Sequence, residues 1–325
     1  MVENRGISSQ AITYSLFIVS HVIQHTMNLM TEEEKREERS TSILLFIGMG
    51  SFILITQIIA LLLAAPFKVA GITAFQNPED PRNSIFFFIF IIAFTAFILM
   101  VLKFGGERIV YFVMLAAVAG TIYYVMIVLF PYPYIPLVST LAFTVLLFTY
   151  PEWYVLDVTG LLIGGGAAAI FGISLGIFPV LLLMIILAVY DAIAVYKTKH
   201  MVALAESVID LRMPVLFVLP RKRSFSLLKK PLKGLQDREA EPHESEMEDA
   251  FFMGLGDAII PSLLVVASSV RFASVAPAIG ALIGTLAGYA VLSSFAGRGK
   301  PHAGLPLLNS GSIIGFVIGY LATVV

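Results

Sequence analysis

The sequence predicts an all-α integral membrane protein: a bundle of nine transmembrane helices with one additional helix at the N-terminus. Three observations carry this. The 325 residues are 58% hydrophobic and only 13% charged, with a mean hydropathy of +0.91, more apolar surface than a soluble domain of this size could bury. Nine apolar runs follow residue 42, at about 43–65, 84–103, 109–130, 134–150, 155–174, 178–196, 254–271, 275–295 and 304–324. Each is roughly 17–25 residues, the length that crosses a ~30 Å hydrocarbon core. Lys and Arg are also spread unevenly between alternate connections, as the positive-inside rule requires.

Residues 1–10 lack a basic n-region, and no small-residue cleavage site follows the first apolar run, so they do not read as a cleaved signal peptide. In residues 11–30, Ser20, His21, Gln24, His25 and Asn28 form a polar stripe at helical spacing. That stripe favours an amphipathic helix at the interface or against the bundle over a true span. Residues 31–42, TEEEKREERSTS, are a charged, solvated linker, and a helix tethered by such a linker has the form of an appended segment. The chain therefore divides into an N-terminal segment (1–42), six helices (43–196), a long connection (197–253) and three further helices (254–325).

With the linker on the cytoplasmic side, that side collects Lys35, Arg36 and Arg39, Lys103 and Arg108, ten basic residues in 197–253, and Arg298 and Lys300, seventeen in all. The opposite side has Lys68, Arg82 and Arg271. The expected location is the cell membrane, multi-pass, with 31–42 and 197–253 cytoplasmic. Within the long connection, 200–211 reads as a short amphipathic helix. PVLFVLP (214–220) is an apolar patch too short to span. Residues 221–250 pass from a basic to an acidic block and read as flexible. The absence of cysteine excludes disulfides, thiolate metal sites and a cysteine nucleophile. No metal, cofactor or nucleic-acid partner is expected, and an oligomeric state does not follow from the sequence.

Of the 22 acidic residues, only Asp157, Asp191 and Asp257 fall inside apolar runs. An acid at a helix centre costs roughly 2.5–3.5 kcal/mol on insertion scales, so such groups are usually functional and partnered. Asp157 follows PEWYV at a helix start, and its simplest reading is an interfacial acid facing headgroups and the positive helix end. Asp191 lies six residues before Lys197, about 9 Å inside the boundary. Asp257 lies at a similar depth after the acidic run ending at Asp249. The sixth and seventh helices run in opposite directions, so the two carboxyls are expected at one level. Close carboxyls in a low dielectric share a proton. Such a pair can activate water for attack on a peptide carbonyl and protonate the carbonyl oxygen. Gly254 and Gly256 remove side chains just before Asp257, where substrate backbone could approach. Gly164, Gly165, Gly166, Gly280, Gly284 and Gly288 read as helix-packing positions.

Tyr190-Asp191 and Gly254-Leu255-Gly256-Asp257 resemble the Tyr-Asp and Gly-x-Gly-Asp motifs of the presenilin and signal-peptide-peptidase family of intramembrane aspartyl proteases. The resemblance covers about 43–325, and the short loops and lack of cysteine are most like an archaeal presenilin homologue. It implies a presenilin-type bundle with Asp191 and Asp257 as the catalytic pair. It also implies Tyr190, Gly254, Leu255 and Gly256 as supporting residues. The family's Pro-Ala-Leu motif is matched only by Ala303-Gly304-Leu305-Pro306-Leu307. Leu305, with Pro306 and Leu307 after it, carries over to substrate support, and the leading proline does not. A cytoplasmic 197–253 loop resembles the presenilin branch, in which self-cleavage between about 212 and 253 is expected. Substrates would be transmembrane segments of other proteins, met within the bilayer. A proton-coupled transporter remains the main alternative, since intramembrane acids also build carriers, although the two halves show no matching pair of interrupted segments. A non-catalytic scaffold would leave both acids dispensable. The prepilin-peptidase group shares Gly-x-Gly-Asp but orders its helices differently.

Overall fold

A computed structural model describes residues 43–130, 132, 134–198, 214–221, 225–228, 250–295 and 303–324. The expected helices in 11–30 and 200–211 lie outside these residues. By internal contacts the chain divides into Met1–Ile47, described only from residue 43, and Gly48–Val325.

Nine helices are described. They are α1 (Ile43–Val69), α2 (Arg82–Lys103), α3 (Glu107–Leu129), α4 (Ile135–Thr149), α5 (Trp153–Ser174), α6 (Ile177–Ile193), α7 (Leu255–Arg271), α8 (Ala276–Phe295) and α9 (Leu305–Val324). Each coincides with one of the nine apolar runs. Seven are long and apolar enough to cross a membrane. With 15 and 17 residues, α4 and α7 are shorter. The lipid-sized run length predicts these helices because a backbone in hydrocarbon must satisfy its own hydrogen bonds. The chain is a multi-pass membrane protein.

The centre of the bundle is α7, which touches α5, α6, α8 and α9. Its residues Leu263, Leu264, Val265, Val266 and Ala267 are fully buried. One core joins α7 to Leu183, Met184 and Leu187 of α6, Ala281 of α8 and Phe316 of α9. A second joins Val266 to Ala60 and Leu63 of α1, Val125 of α3 and Ala168 of α5. On α5, Gly165 and Gly166 admit Ile59 and Val125, whose methyl groups lie only 2.3 Å from where a Cβ would stand. The pairing of α8 with α9 is closer still. A Cβ on Gly280, Gly284 or Gly288 would lie 2.1–2.4 Å from the carbonyl oxygens of Gly315, Gly311 and Leu307. The helices therefore meet backbone to backbone, as small-xxx-small patterns allow. The packing role expected of the α5 and α8 glycines holds, and Gly311, Gly315 and Gly319 of α9 complete it.

At one end of the bundle the 70–81 loop is tied down. Ser174 Oγ accepts the Ala74 N–H at 2.7 Å, and Arg271 at the end of α7 pairs with Glu79 at 3.2 Å. Asp80 accepts both the backbone N–H and the guanidinium of Arg82, which holds its carboxyl below the usual carboxylate range. α4 lies at the periphery, with Leu137, Val138, Leu141 and Phe148 exposed and exposed tyrosines, Tyr134 and Tyr150, flanking its ends.

Outside the all-α expectation stands a two-stranded antiparallel ribbon, β1 (Leu216–Pro220) and β2 (Ala250–Gly254), in the register Leu216↔Gly254 to Pro220↔Ala250. The apolar PVLFVLP patch is thus mostly β1, seated between α1 and α5. Its Phe217 stacks on Phe52 at 4.8 Å and approaches Gly160. The reading of all of 221–250 as flexible is corrected at two places. Glu152 accepts the Leu227 N–H at 3.1 Å and the Ser226 hydroxyl, and Ala250 is in β2. Local polarity suggests a free segment, but the buried Glu152 carboxylate just before α5 holds part of it.

Candidate active site

Opposite the 70–81 loop, the C-terminal end of α6 meets the N-terminal end of α7. Asp191 is on the last turn of α6, just before a π-helical turn, Ala194–Thr198. Such widened turns relax the i→i−4 ladder and recur at functional positions. Asp191 is 3% exposed. Asp257 is the third residue of α7 and is half-buried, with exposed Gly256 beside it. Pro261 sits inside α7 and has no N–H, so the Asp257 carbonyl loses its intrahelical donor. The helix start that carries this acid is therefore less constrained than the turns below it.

The two carboxyls converge on the same short piece of chain, the entry to α9. The Leu305 N–H donates to Asp191 Oδ2 at 3.1 Å. One residue earlier, Gly304 faces Asp257, and a Cβ there would lie 3.1–3.2 Å from all three carboxyl atoms. Asn309, one turn into α9, donates to the Met184 carbonyl of α6 at 2.9 Å and is buried. This second tie fixes α9 along α6, so the Leu305 N–H is presented to Asp191 by two points of attachment.

The remaining residues singled out by sequence are placed as follows. Gly254 ends β2 and caps α7 in an extended conformation, with its Cβ position 3.6 Å from Asp257 Oδ2. Leu255 is buried and packs on Gly160 and Gly164 of α5. Around Gly256 no described residue lies within 4 Å of a Cβ position, which leaves open space beside Asp257 among the described residues. Tyr190 is turned to α2, edge-on to Phe88 at 5.9 Å. Pro306 lies in the first turn of α9, and the Leu307 carbonyl packs on Gly288.

Asp157 corrects the interfacial reading. It lies in the second turn of α5, is 4% exposed, and accepts the Val218 N–H at 2.8 Å. A helix-start position suggested headgroups, but the ribbon covers that site. The departure from the motif at Gly304 gives no sequence signal for a role, and its contact with Asp257 emerges only in the fold. Among the described residues, no group of three or more His, Cys, Asp or Glu side chains could hold a metal.

The family model described as signal-peptide peptidase, presenilin aspartyl protease matches residues 50–325. Two solved structures of a presenilin family intramembrane aspartate protease, in space groups C222 and P2, are similar to the chain. Each is 38% identical to it over 85% of its length. They are covered to 99% and 97% of their own lengths, with TM-scores of 0.63 and 0.61. Curated protein sequences show no match.

Proposed function

The chain belongs to the signal-peptide peptidase and presenilin family of aspartyl proteases, and we propose that it cuts transmembrane segments of other membrane proteins with Asp191 and Asp257 as its catalytic pair. The observation that carries this reading is the convergence of both carboxyls on Gly304 and Leu305. One shared proton serves the two acids. The ionised member takes a proton from water as the water oxygen attacks the scissile carbonyl carbon. The protonated member donates to the carbonyl oxygen, giving a tetrahedral diol. Collapse of the diol breaks the C–N bond, and the departing nitrogen takes a proton from the pair. The pair titrates as a unit, so the two roles are not divided between the residues.

A helical substrate hides its carbonyls in hydrogen bonds, and unwinding it in lipid costs several kcal/mol per unsatisfied group. The ribbon offers an answer. Leu255 N–H bonds to Val215 O, so in this register the pairs 217↔253 and 219↔251 exchange hydrogen bonds. The N–H groups of Phe252 and Gly254 then point away from β1, along the edge that leads to Asp257. An extended substrate can pair with that edge as an added strand. Gly256 leaves room for its backbone, and Leu305, Pro306 and Leu307 form a further wall. The Lys and Arg bias supports placing this end, with 31–42 and 197–253, on the cytoplasmic side of the cell membrane. The proposal extends to self-cleavage between about 212 and 253, in the connection whose two arms the ribbon pairs.

The test is incubation of purified protein with a transmembrane peptide, products being read by mass spectrometry. Asp191→Ala and Asp257→Ala are each expected to abolish cleavage, a loss of at least about 10²–10⁴-fold. Cleavage that survives either substitution sinks the reading.

A further inference from the structure

The most unusual buried group outside the catalytic pair is Asp157. Its Oδ1 holds the Val218 N–H, while its Oδ2 is buried with no hydrogen-bond partner among the described residues. In the ribbon's register Val218 belongs to a pair whose backbone groups point outward. The carboxyl therefore occupies the outer edge of β1, opposite the edge shared with β2. Five residues earlier on the same chain, Glu152 is also buried and takes the backbone of Leu227. Two acids at the start of α5 thus grip the segment on both sides of Pro220. Phe217 and Leu255 both pack against Gly160 of α5, so the ribbon and the first residue of α7 share one support.

We propose that Asp157 is a positioning residue for the cleavage reaction. By holding β1 through its outward N–H it fixes the ribbon on α5. Through the register with β2 it fixes Gly254 and the start of α7, and hence the level of Asp257 against Asp191. It also closes the outer edge of β1, because its carboxyl already takes the Val218 N–H that a further strand would need. The ribbon is left with a single acceptor edge for an extended substrate, that of β2. The substrate half of this statement rests on the protease reading, whereas the placement of the ribbon does not.

Three variants and two readouts test it. Asp157→Asn keeps an oxygen acceptor for Val218. Asp157→Ala removes it. Val218→Pro removes the donor at an outward-facing position, where an edge strand tolerates proline. Amide hydrogen exchange of 214–220 and 250–254 reports the ribbon with or without catalysis. Cut positions and kcat on a transmembrane peptide report alignment. Asp157→Ala is expected to accelerate exchange in both strands, to spread the cut positions and to lower kcat by about ten- to a hundredfold, the scale of an ångström-level misplacement, with KM little changed. Val218→Pro reproduces this pattern, the double variant is no worse than either single one, and Asp157→Asn stays near the parent. Should Asp157→Ala not fold, Val218→Pro and Asp157→Asn still decide the matter. Unchanged exchange and cut positions in Val218→Pro or Asp157→Ala overturn the proposal, as does an Asn variant as damaged as the Ala variant. If the parent protein cuts no transmembrane peptide, the protease reading fails, and the exchange data alone decide whether Asp157 holds the ribbon.

Discussion

Substituting Gly288 by alanine isolates the link between helix packing and the proposed catalytic pair, Asp191 and Asp257. The new methyl would stand 2.4 Å from the Leu307 carbonyl oxygen, against an ordinary contact of 3.4 Å or more. The first turn of α9 must then retreat by about 1 Å, because the obstacle is backbone rather than a movable side chain. Leu305 is two residues away, and its N–H sits 3.1 Å from Asp191. A retreat of that size stretches the bond to about 4 Å, beyond hydrogen-bonding range. Overpacking of this kind costs about 1–3 kcal/mol of stability, and a displacement of 1 Å at reacting groups can cost about 100-fold in rate. Gly280→Ala is the control. It meets the Gly315 carbonyl at 2.2 Å, a comparable clash, but lies about 12 Å further along α8. Initial rates on a transmembrane peptide, with thermal unfolding of each variant in the same detergent, separate the two effects. Both variants are expected to lose similar stability, and Gly288→Ala to lose far more kcat. Equal rate losses that track stability in both would refute the argument that α9 carries geometry to Asp191.

Two further expectations concern the pair itself. Gly304→Val should reduce cleavage at least tenfold, because even its Cβ would press on the Asp257 carboxyl at 3.1–3.2 Å and the branched side chain has no retreat; rates and folding of the purified variant check this. Activity against pH should be bell-shaped, since only the singly protonated pair holds both a base and an acid, and the state is lost on each side. A sigmoidal profile between two plateaus would point to one working carboxyl instead.

Much of this architecture was legible in the sequence for one physical reason. A membrane span must be long, apolar and continuous, so nine runs delimit nine helices. Asp191 and Asp257 stand out because an acid within such a run is costly, and opposite chain directions bring them level. The ribbon left no such trace. LFVLP and AFFMG are too short to display a strand period, and they pair across a long connection. Asp157 illustrates the same limit. Its partner is a backbone N–H 61 residues away, and any residue could supply that group, so no side-chain pattern announces the bond. Gly304 was hidden for the opposite reason, because a departure from a motif looks like a loss until the neighbour it accommodates is seen.

The shortness of α4 and α7 bears on the surrounding lipid. At 1.5 Å per residue they are about 22 and 25 Å long, less than the ~30 Å of a typical hydrocarbon core. α7 is enclosed by its neighbours, but α4 meets the lipid directly. Tyr134 and Tyr150 are suited to the headgroup level at its two ends, and they are only about 24 Å apart along the helix. A span this short is accommodated by local thinning of the bilayer, by snorkelling of the residues that flank it or by oligomerisation. Each of these makes the membrane beside α4 part of the helix's environment, independent of anything the active site recognises.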